Sequence, residues 1–375
     1  MRILYWSIPS FADSDFPLIK ALREAGHEVF YIVRLAPYLK QTTLFDIKKI
    51  YPQSTILPAS VYPELEYWSD YIDLEKTYVS NDAVGKTGLK SFRLYLKEQK
   101  LIKSLNPDII HHVGIPFIFH LMMMWKYRKK AICVMHDPLP HSSDKGLRNG
   151  FKRWALTRIS PRFILLNNRQ KELFCSTYKV DPAKVFIASL GPYDCYRKLK
   201  TGRIIGGQFI LFYGRIAPYK GINYAIDAFC QLKCPDVRFV IAGEGRQYFD
   251  IPENSQVEFI HRFLSINEVA DYVSQALFVV CPYTDATQSG VLQTALAFGT
   301  PVVATEVGNF PELISNNVNG MLVPPRDAKS LASAFQLLLE NRQLLETMRS
   351  NVDNALSASI SWNCIAEKYI EIYRQ

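Results

Sequence analysis

The chain opens with an apolar run over 1–6. A stretch over 16–25 follows, in which Leu18, Ile19 and Leu22 recur at helical spacing. Gly26-His27 closes that helix, and the β-branched and aromatic residues of 28–33 predict a second strand. Strand, helix, glycine and strand at this spacing form a βαβ unit, which implies a parallel sheet with right-handed crossovers. Short apolar runs over 108–112, 131–135 and 162–167 continue the sheet. A basic, glycine-containing stretch over 198–207 predicts a linker, after which a second series begins. There the pattern predicts strands over 209–213, 238–242, 257–260, 278–281 and 301–304, with helices over 222–232, 266–275 and 291–298. Helices over 328–339 and 362–373 close the chain. The fold class is therefore α/β, with two doubly wound Rossmann-like domains over 1–200 and 201–359. In such sheets ligands bind at the carboxyl ends of strands, and here also in a cleft that the two domains face.

Composition changes this picture little. The 375 residues are 48% hydrophobic and 21% charged, which is a globular chain with length for two cores. No stretch reaches the roughly 18 unbroken apolar residues of a membrane span. The opening MRILYWSIPSF reads as a strand and not as a signal peptide. Seven scattered cysteines do not resemble a disulfide framework, so a reduced, cytoplasmic setting is expected.

Charge changes it more. Residues 1–200 carry 31 Lys+Arg against 18 Asp+Glu, the remainder 13 against 17, and residues 126–200 alone 17 against 5. Such a field attracts lipid headgroups, nucleic acid or phosphorylated substrates, unless it is a solvated face with no partner. Over 148–159, Phe151, Trp154, Ala155 and Ile159 share a helical face flanked by Lys152, Arg153 and Arg158. A Trp-bearing basic amphipathic helix suits an anionic membrane surface, and peripheral attachment to the inner face of the cytoplasmic membrane is the expectation. For Met122, Met123, Met124 and Trp125, followed by Lys126, Arg128, Lys129 and Lys130, packing in a core is the stronger expectation. No reading motif accompanies the charge, so no nucleic-acid partner is expected.

Candidate chemistry concentrates in the second half. Gly214-Arg215-Ile216-Ala217-Pro218-Tyr219-Lys220-Gly221 lies where a strand end meets a helix start. Two cations there can clamp a diphosphate, Arg215 through planar paired contacts and Lys220 as a point charge; the alternative is a solvated loop. Thr287-Gln288-Ser289-Gly290-Val291 precedes an apolar helix and offers backbone N–H groups to an anion, or is an ordinary Ser cap. Gly243-Glu244-Gly245 is weak by itself. In the first half His136-Asp137 ends the 131–135 strand, where an imidazole can hydrogen-bond the hydroxyls of a ligand and a carboxylate can orient it or bind ligand itself. His111-His112 reads as structural. Cys230 and Cys234 lack a second pair for zinc, and no Asp-x-Asp pair stands in the second half to carry a divalent cation, so neither metal nor cofactor is expected.

Together GRIAPYKGI, IAGEG, SGVLQTALAFGTPVVAT, VGNFPELI, NGMLVPP and the terminal SWNCIAEKYIEIY resemble, in order, the donor-binding half of family 4 retaining glycosyltransferases of the GT-B fold. The resemblance implies that Arg215 and Lys220 hold a nucleotide-sugar diphosphate. It assigns donor contacts to Gly214, to Gly243, Glu244 and Gly245, and to Thr287, Gln288, Ser289, Gly290 and Val291. It brings the helix at about 360–375 back onto the first domain. One departure stands out. The family's two glutamates eight positions apart are absent from DATQSGVLQTALAFG, and Thr287 and Thr294 fall near their places. A carboxylate on the ribose would then be Asp285 or Glu306. The family's glycine-rich first loop is replaced by residues 7–15, where Asp13 or Asp15 is expected to meet acceptor hydroxyls, with Asp137 beside His136. The implied activity is transfer of a sugar from a nucleotide-diphosphate sugar to a glycan or polyprenyl-diphosphate-linked acceptor for cell-surface polysaccharide. A weakly active donor-binding partner subunit and a sugar-nucleotide epimerase of the same fold are the rivals.

Overall fold

The computed structural model describes residues 1–35, 44–47, 54–82, 88–114, 118–139, 147–253 and 256–375. Two compact units result, one from Met1–Leu190 with Trp362–Gln375 and the other from Gly191–Ser361.

The first unit is built on eight strands: β1 Arg2–Ser7, β2 Glu28–Leu35, β3 Thr55–Pro58, β4 Thr77–Asn81, β5 Ile109–Val113, β6 Ala131–Met135, β7 Phe163–Leu165 and β8 Val185–Ile187. Their order is β3-β4-β2-β1-β5-β6-β7-β8, and only β3, at the edge, runs antiparallel. Register fixes the two faces. Phe30, Leu4, Ile110 and Ala131 lie in one row across the sheet, and Ile32, Trp6, His112, Cys133, Phe163 and Val185 in the next but one. Successive residues alternate faces, so these two rows share a face. Against it pack the helices Leu89–Leu105, Ile118–Lys126, Leu147–Ile159 and Lys171–Tyr178. The opposite face, with Tyr5 and His111, receives the helix Ala12–Glu24 and the last helix, Trp362–Arg374.

The second unit has six parallel strands: β9 Gln208–Tyr213, β10 Val237–Ala242, β11 Val257–Ile260, β12 Val279–Cys281, β13 Val302–Thr305 and β14 Gly320–Val323, in the order β11-β10-β9-β12-β13-β14. Both sheets carry the crossover pattern of doubly wound α/β domains, as the sequence predicts.

Three differences have physical causes. Residues 191–199 belong to the second unit, because Cys195, Tyr196 and Leu199 bury themselves there and their short helix packs on the helices Ile266–Gln275 and Gly290–Ala297. The helix Leu89–Leu105 escapes the periodicity reading because its buried stripe includes polar groups. Ser91 donates to Asp82, and the Glu98 carboxylate, beside His120, accepts from Ser80. In the helix Leu147–Ile159 the inward side is Arg153, Leu156 and Thr157, while Phe151 and Trp154 face solvent. Among the described residues no helix is long and apolar enough to cross a membrane.

Candidate functional site

In the second unit three loops meet at the carboxyl ends of β9, β10 and β12. Gly214 ends β9, and a Cβ there would lie 3.8 Å from Val291 at the start of the helix Gly290–Ala297. Gly243 ends β10 with no room for a side chain, since a Cβ would lie 1.8 Å from the Gly214 carbonyl oxygen. The Ile216 N–H donates to the Glu244 carbonyl at 2.9 Å, so the loops after β9 and β10 run side by side. Gly221, at φ +63, would place a Cβ 2.0 Å from the Pro282 carbonyl. The Thr284 N–H donates to the Tyr219 carbonyl at 2.8 Å, tying the loop after β9 to the loop after β12. Gly214, Arg215, Lys220, Gly243, Glu244, Gly245, Ser289, Gly290 and Val291 are thus gathered at one edge of the sheet.

The charges there are one-sided. Arg215 is exposed and Lys220 half-buried, and no carboxylate pairs with either among the described residues. The Lys220 ammonium lies 3.6 Å from the centre of the buried Tyr283 ring. Burial pulls its pKa down to about 8, with the nearby Arg215 charge adding to the fall. Burial also pushes the neighbouring Cys281 thiol up to about 12, so it stays neutral. Ser289 caps the helix behind this pair, its hydroxyl accepting from the Leu292 N–H at 3.3 Å and its carbonyl from the Gln293 N–H at 3.2 Å. The N–H groups of Gly290 and Val291 have no intrahelical acceptor. Two cations with no carboxylate partner among the described residues, and two helix-end N–H groups, are groups that can accept an anion.

Around it, the Asn309 amide donates to Gln288 Oε1 at 2.7 Å, leaving Gln288 Nε2 and Asn309 Oδ1 buried without a partner. Thr287 stands on the same loop. Thr294 does not serve as a donor contact: it is buried and its hydroxyl donates to the Gly290 carbonyl at 2.9 Å, the usual outlet for a Thr inside a helix. Asp285 and Glu306 are both exposed on loops of this edge.

Tyr283 and Asn309 are the residues that sequence reasoning missed. Their partners, Lys220 and Gln288, are 63 and 21 positions away, so no local pattern announces them.

In the first unit His136 follows β6 and stacks on Phe11, ring centres 4.1 Å apart, while Phe11 also lies against Gly114 after β5. Burial lowers the His136 pKa to about 4, so the imidazole is neutral near pH 7 and can both donate and accept. Asp137 is beside it, half-buried, and Asp13 sits nearly buried in the first turn of the helix Ala12–Glu24. Asp15 corrects the expectation of an acceptor contact. It is 0% exposed, its carboxyl accepts from the Tyr5 hydroxyl at 2.8 Å, and burial raises its pKa to about 8. His111 and His112 are buried in β5, as a structural role requires. Among the described residues no three His, Cys, Asp or Glu side chains converge to hold a metal.

A family model described as Glycosyltransferase Family 4 matches residues 17–191, and one described as Glycosyl transferases group 1 matches residues 207–341. The chain is 29% identical over 238 residues to an uncharacterized glycosyltransferase of Methanocaldococcus jannaschii, covering 58% of this chain and 61% of that one. It is 29% identical over 175 residues to the alpha-D-kanosaminyltransferase of Streptomyces kanamyceticus, covering 44% and 45%. The match thus spans about half the length of these curated relatives. HepE of Anabaena, solved in complex with UDP and glucose, superposes with a TM-score of 0.67 at 17% identity, covering 100% of this chain and 99% of that one. At that identity the likeness is one of fold, the GT-B arrangement of two Rossmann-like domains.

Proposed function

Because the chain belongs to the family 4 glycosyltransferases and shares their GT-B fold, we propose that it is a retaining enzyme transferring a sugar from a nucleotide-diphosphate donor. The acceptor is a growing glycan or a glycan on polyprenyl diphosphate, in cell-surface polysaccharide synthesis. The observation that carries the reading is the pair Arg215 and Lys220, two cations with no carboxylate partner among the described residues, at the same sheet edge as the first N–H groups of the helix Gly290–Ala297.

In this reading the donor diphosphate lies on those groups in the second unit. The bond between the anomeric carbon and the diphosphate oxygen breaks, and its electron pair leaves with the diphosphate. Charge grows on the departing oxygens, and a site already positive and partly desolvated stabilises it with little reorganisation. Arg215 and Lys220 supply that positive charge themselves. The acceptor hydroxyl then bonds to the same face of the sugar, and its proton passes to the departing diphosphate oxygen. His136, neutral and fixed by Phe11, hydrogen-bonds the transferred sugar, with Asp13 and Asp137 on the acceptor side. Gln288 and Asn309, each with one unsatisfied amide atom, take over sugar recognition from the absent glutamates.

The absent glutamates also favour a second reading, a partner subunit that binds donor and turns over little. A thermal-shift panel of UDP-, GDP- and ADP-sugars, followed by transfer assays with the sugar that binds, separates the two. A bound donor raises the melting temperature by mass action, and Arg215→Ala removes a charge-assisted contact of about 2–3 kcal/mol, weakening binding roughly 30- to 150-fold. No shift with any nucleotide sugar overturns the proposal, while a shift without transfer favours the partner subunit.

A further inference from the structure

The helices Leu89–Leu105, Ile118–Lys126 and Leu147–Ile159 lie side by side on one face of the first sheet, the first against the second and the second against the third. Their inner sides are ordinary core. Met123 and Met124 are buried, as are Leu94, Ile102 and Leu156. Their outer sides are not ordinary surface. Trp125 is 60% exposed, Phe151 58% and Trp154 49%, and Met122, Leu96 and Phe92 are exposed with them. The sequence expectation of a buried methionine–tryptophan stripe therefore holds for only half of it.

Charge on the same side has one sign. Lys90, Arg93, Lys97, Lys100 and Lys103 are exposed on the first helix, Lys126, Arg128 and Lys129 on and after the second, and Arg158 on the third. No acidic side chain is exposed on the described parts of these helices, and Glu98, the one carboxylate among them, is buried against Ser80 and His120. Aromatic rings and cations are also close neighbours. Phe151 and Trp154 stand 5.8 Å apart, and the Arg128 guanidinium lies 5.3 Å from the Trp125 ring.

A monomer facing water gains nothing from an indole at this exposure, and an oligonucleotide groove would use the cations without the aliphatic residues. Indole rings set among cations fit the headgroup boundary of a bilayer, where the ring leaves water and the cation meets lipid phosphate. We propose that the outer face of these three helices seats on an anionic lipid bilayer, with Trp125, Phe151 and Trp154 entering the headgroup layer. Lys90, Arg93, Lys97, Lys126, Arg128 and Arg158 then lie over the lipid phosphates. This attachment is independent of the transfer reaction, so its failure leaves the donor-binding experiment untouched.

Of the five tryptophans, Trp6, Trp68 and Trp362 are buried, which makes emission a report on Trp125 and Trp154. The full chain is mixed with phosphatidylglycerol–phosphatidylcholine vesicles and with phosphatidylcholine alone, and followed by co-sedimentation and by quenching with brominated lipid. Binding is expected only with phosphatidylglycerol, with blue-shifted, quenched emission, and it falls as salt rises from roughly 0.05 to roughly 0.5 M. Trp125→Ala with Trp154→Ala is expected to weaken it by about tenfold, with circular dichroism unchanged because both rings are exposed. Absence of binding at low salt overturns the proposal. So does binding that the double variant leaves intact, and so does binding to a single-stranded oligonucleotide in place of vesicles.

Discussion

Replacing Lys220 by Met separates what the residue does for the fold from what it does for a ligand. In the free protein Lys220 is held near pKa 8 against an ordinary 10.5, chiefly by burial. A shift of about 2.5 units corresponds to roughly 3 kcal/mol spent keeping the ammonium in place. Its contact with the Tyr283 ring returns about 1–2 kcal/mol, which Met forfeits. The variant should then be more stable by about 1 kcal/mol, a rise in melting temperature of about 2–4 °C for a unit of this size. The sign also has a pH signature. From about 8 to 10.5 the unfolded chain keeps the proton and the folded one does not, so the wild type gains stability with rising pH. At about 1.4 kcal/mol per pH unit the wild type recovers a deficit of about 1 kcal/mol between pH 8 and 9, so the advantage of Lys220→Met is full below pH 8 and reversed by about pH 9. Nucleotide binding behaves oppositely: the variant loses the shift produced by UDP or its counterpart, and wild-type affinity falls above pH 8 as the ammonium deprotonates. Scanning fluorimetry with and without nucleotide at pH 6, 7, 8 and 9 measures both. A variant that melts lower than wild type, or that keeps the nucleotide shift, refutes the anion-receptor argument.

Two other expectations follow from burial and geometry. Asp15→Asn imitates a carboxyl that the folded chain keeps protonated up to about pH 8. Urea unfolding should show the variant gaining on the wild type by about 1.4 kcal/mol per pH unit from pH 5 to 7, because only the unfolded wild type ionises there; a pH-independent difference contradicts it. Gly221→Ala sets a methyl 2.0 Å from the Pro282 carbonyl in a left-handed backbone, and should cost about 3 kcal/mol or more and abolish the nucleotide shift. Gly26→Ala, with nothing within 4 Å, is the control and should cost only about 1 kcal/mol.

What the sequence disclosed was whatever is local. The βαβ units declare themselves through strands such as Glu28–Leu35, which Gly26-His27 introduces, and Val237–Ala242, which Gly243 ends. The loop glycines of the second unit are legible for a related reason, since a carbonyl pressed against Gly243, Gly245 or Gly221 leaves no room for a side chain. Long-range pairing is what stayed hidden. Asp15 sits in an ordinary acidic first turn, and only the closing of Tyr5 over it removes it from water. Helix Leu89–Leu105 conceals its buried stripe by placing Ser91 and Glu98 in it. Thr294 looked available because helix backbone acceptors are invisible in a motif.

The last thirteen-residue helix, Trp362–Arg374, brings Tyr369 and Tyr373 against His111 and so finishes a core whose other parts lie near the start of the chain. On the ribosome this inverts the usual N-to-C order of maturation. Residues 191–361 emerge as one continuous stretch and can complete their sheet, whereas Tyr5, Asp15 and His111 wait for residues 362–374 before water leaves them. A premature stop anywhere after Ser361 would thus injure the earliest-made half of the molecule and spare the later one.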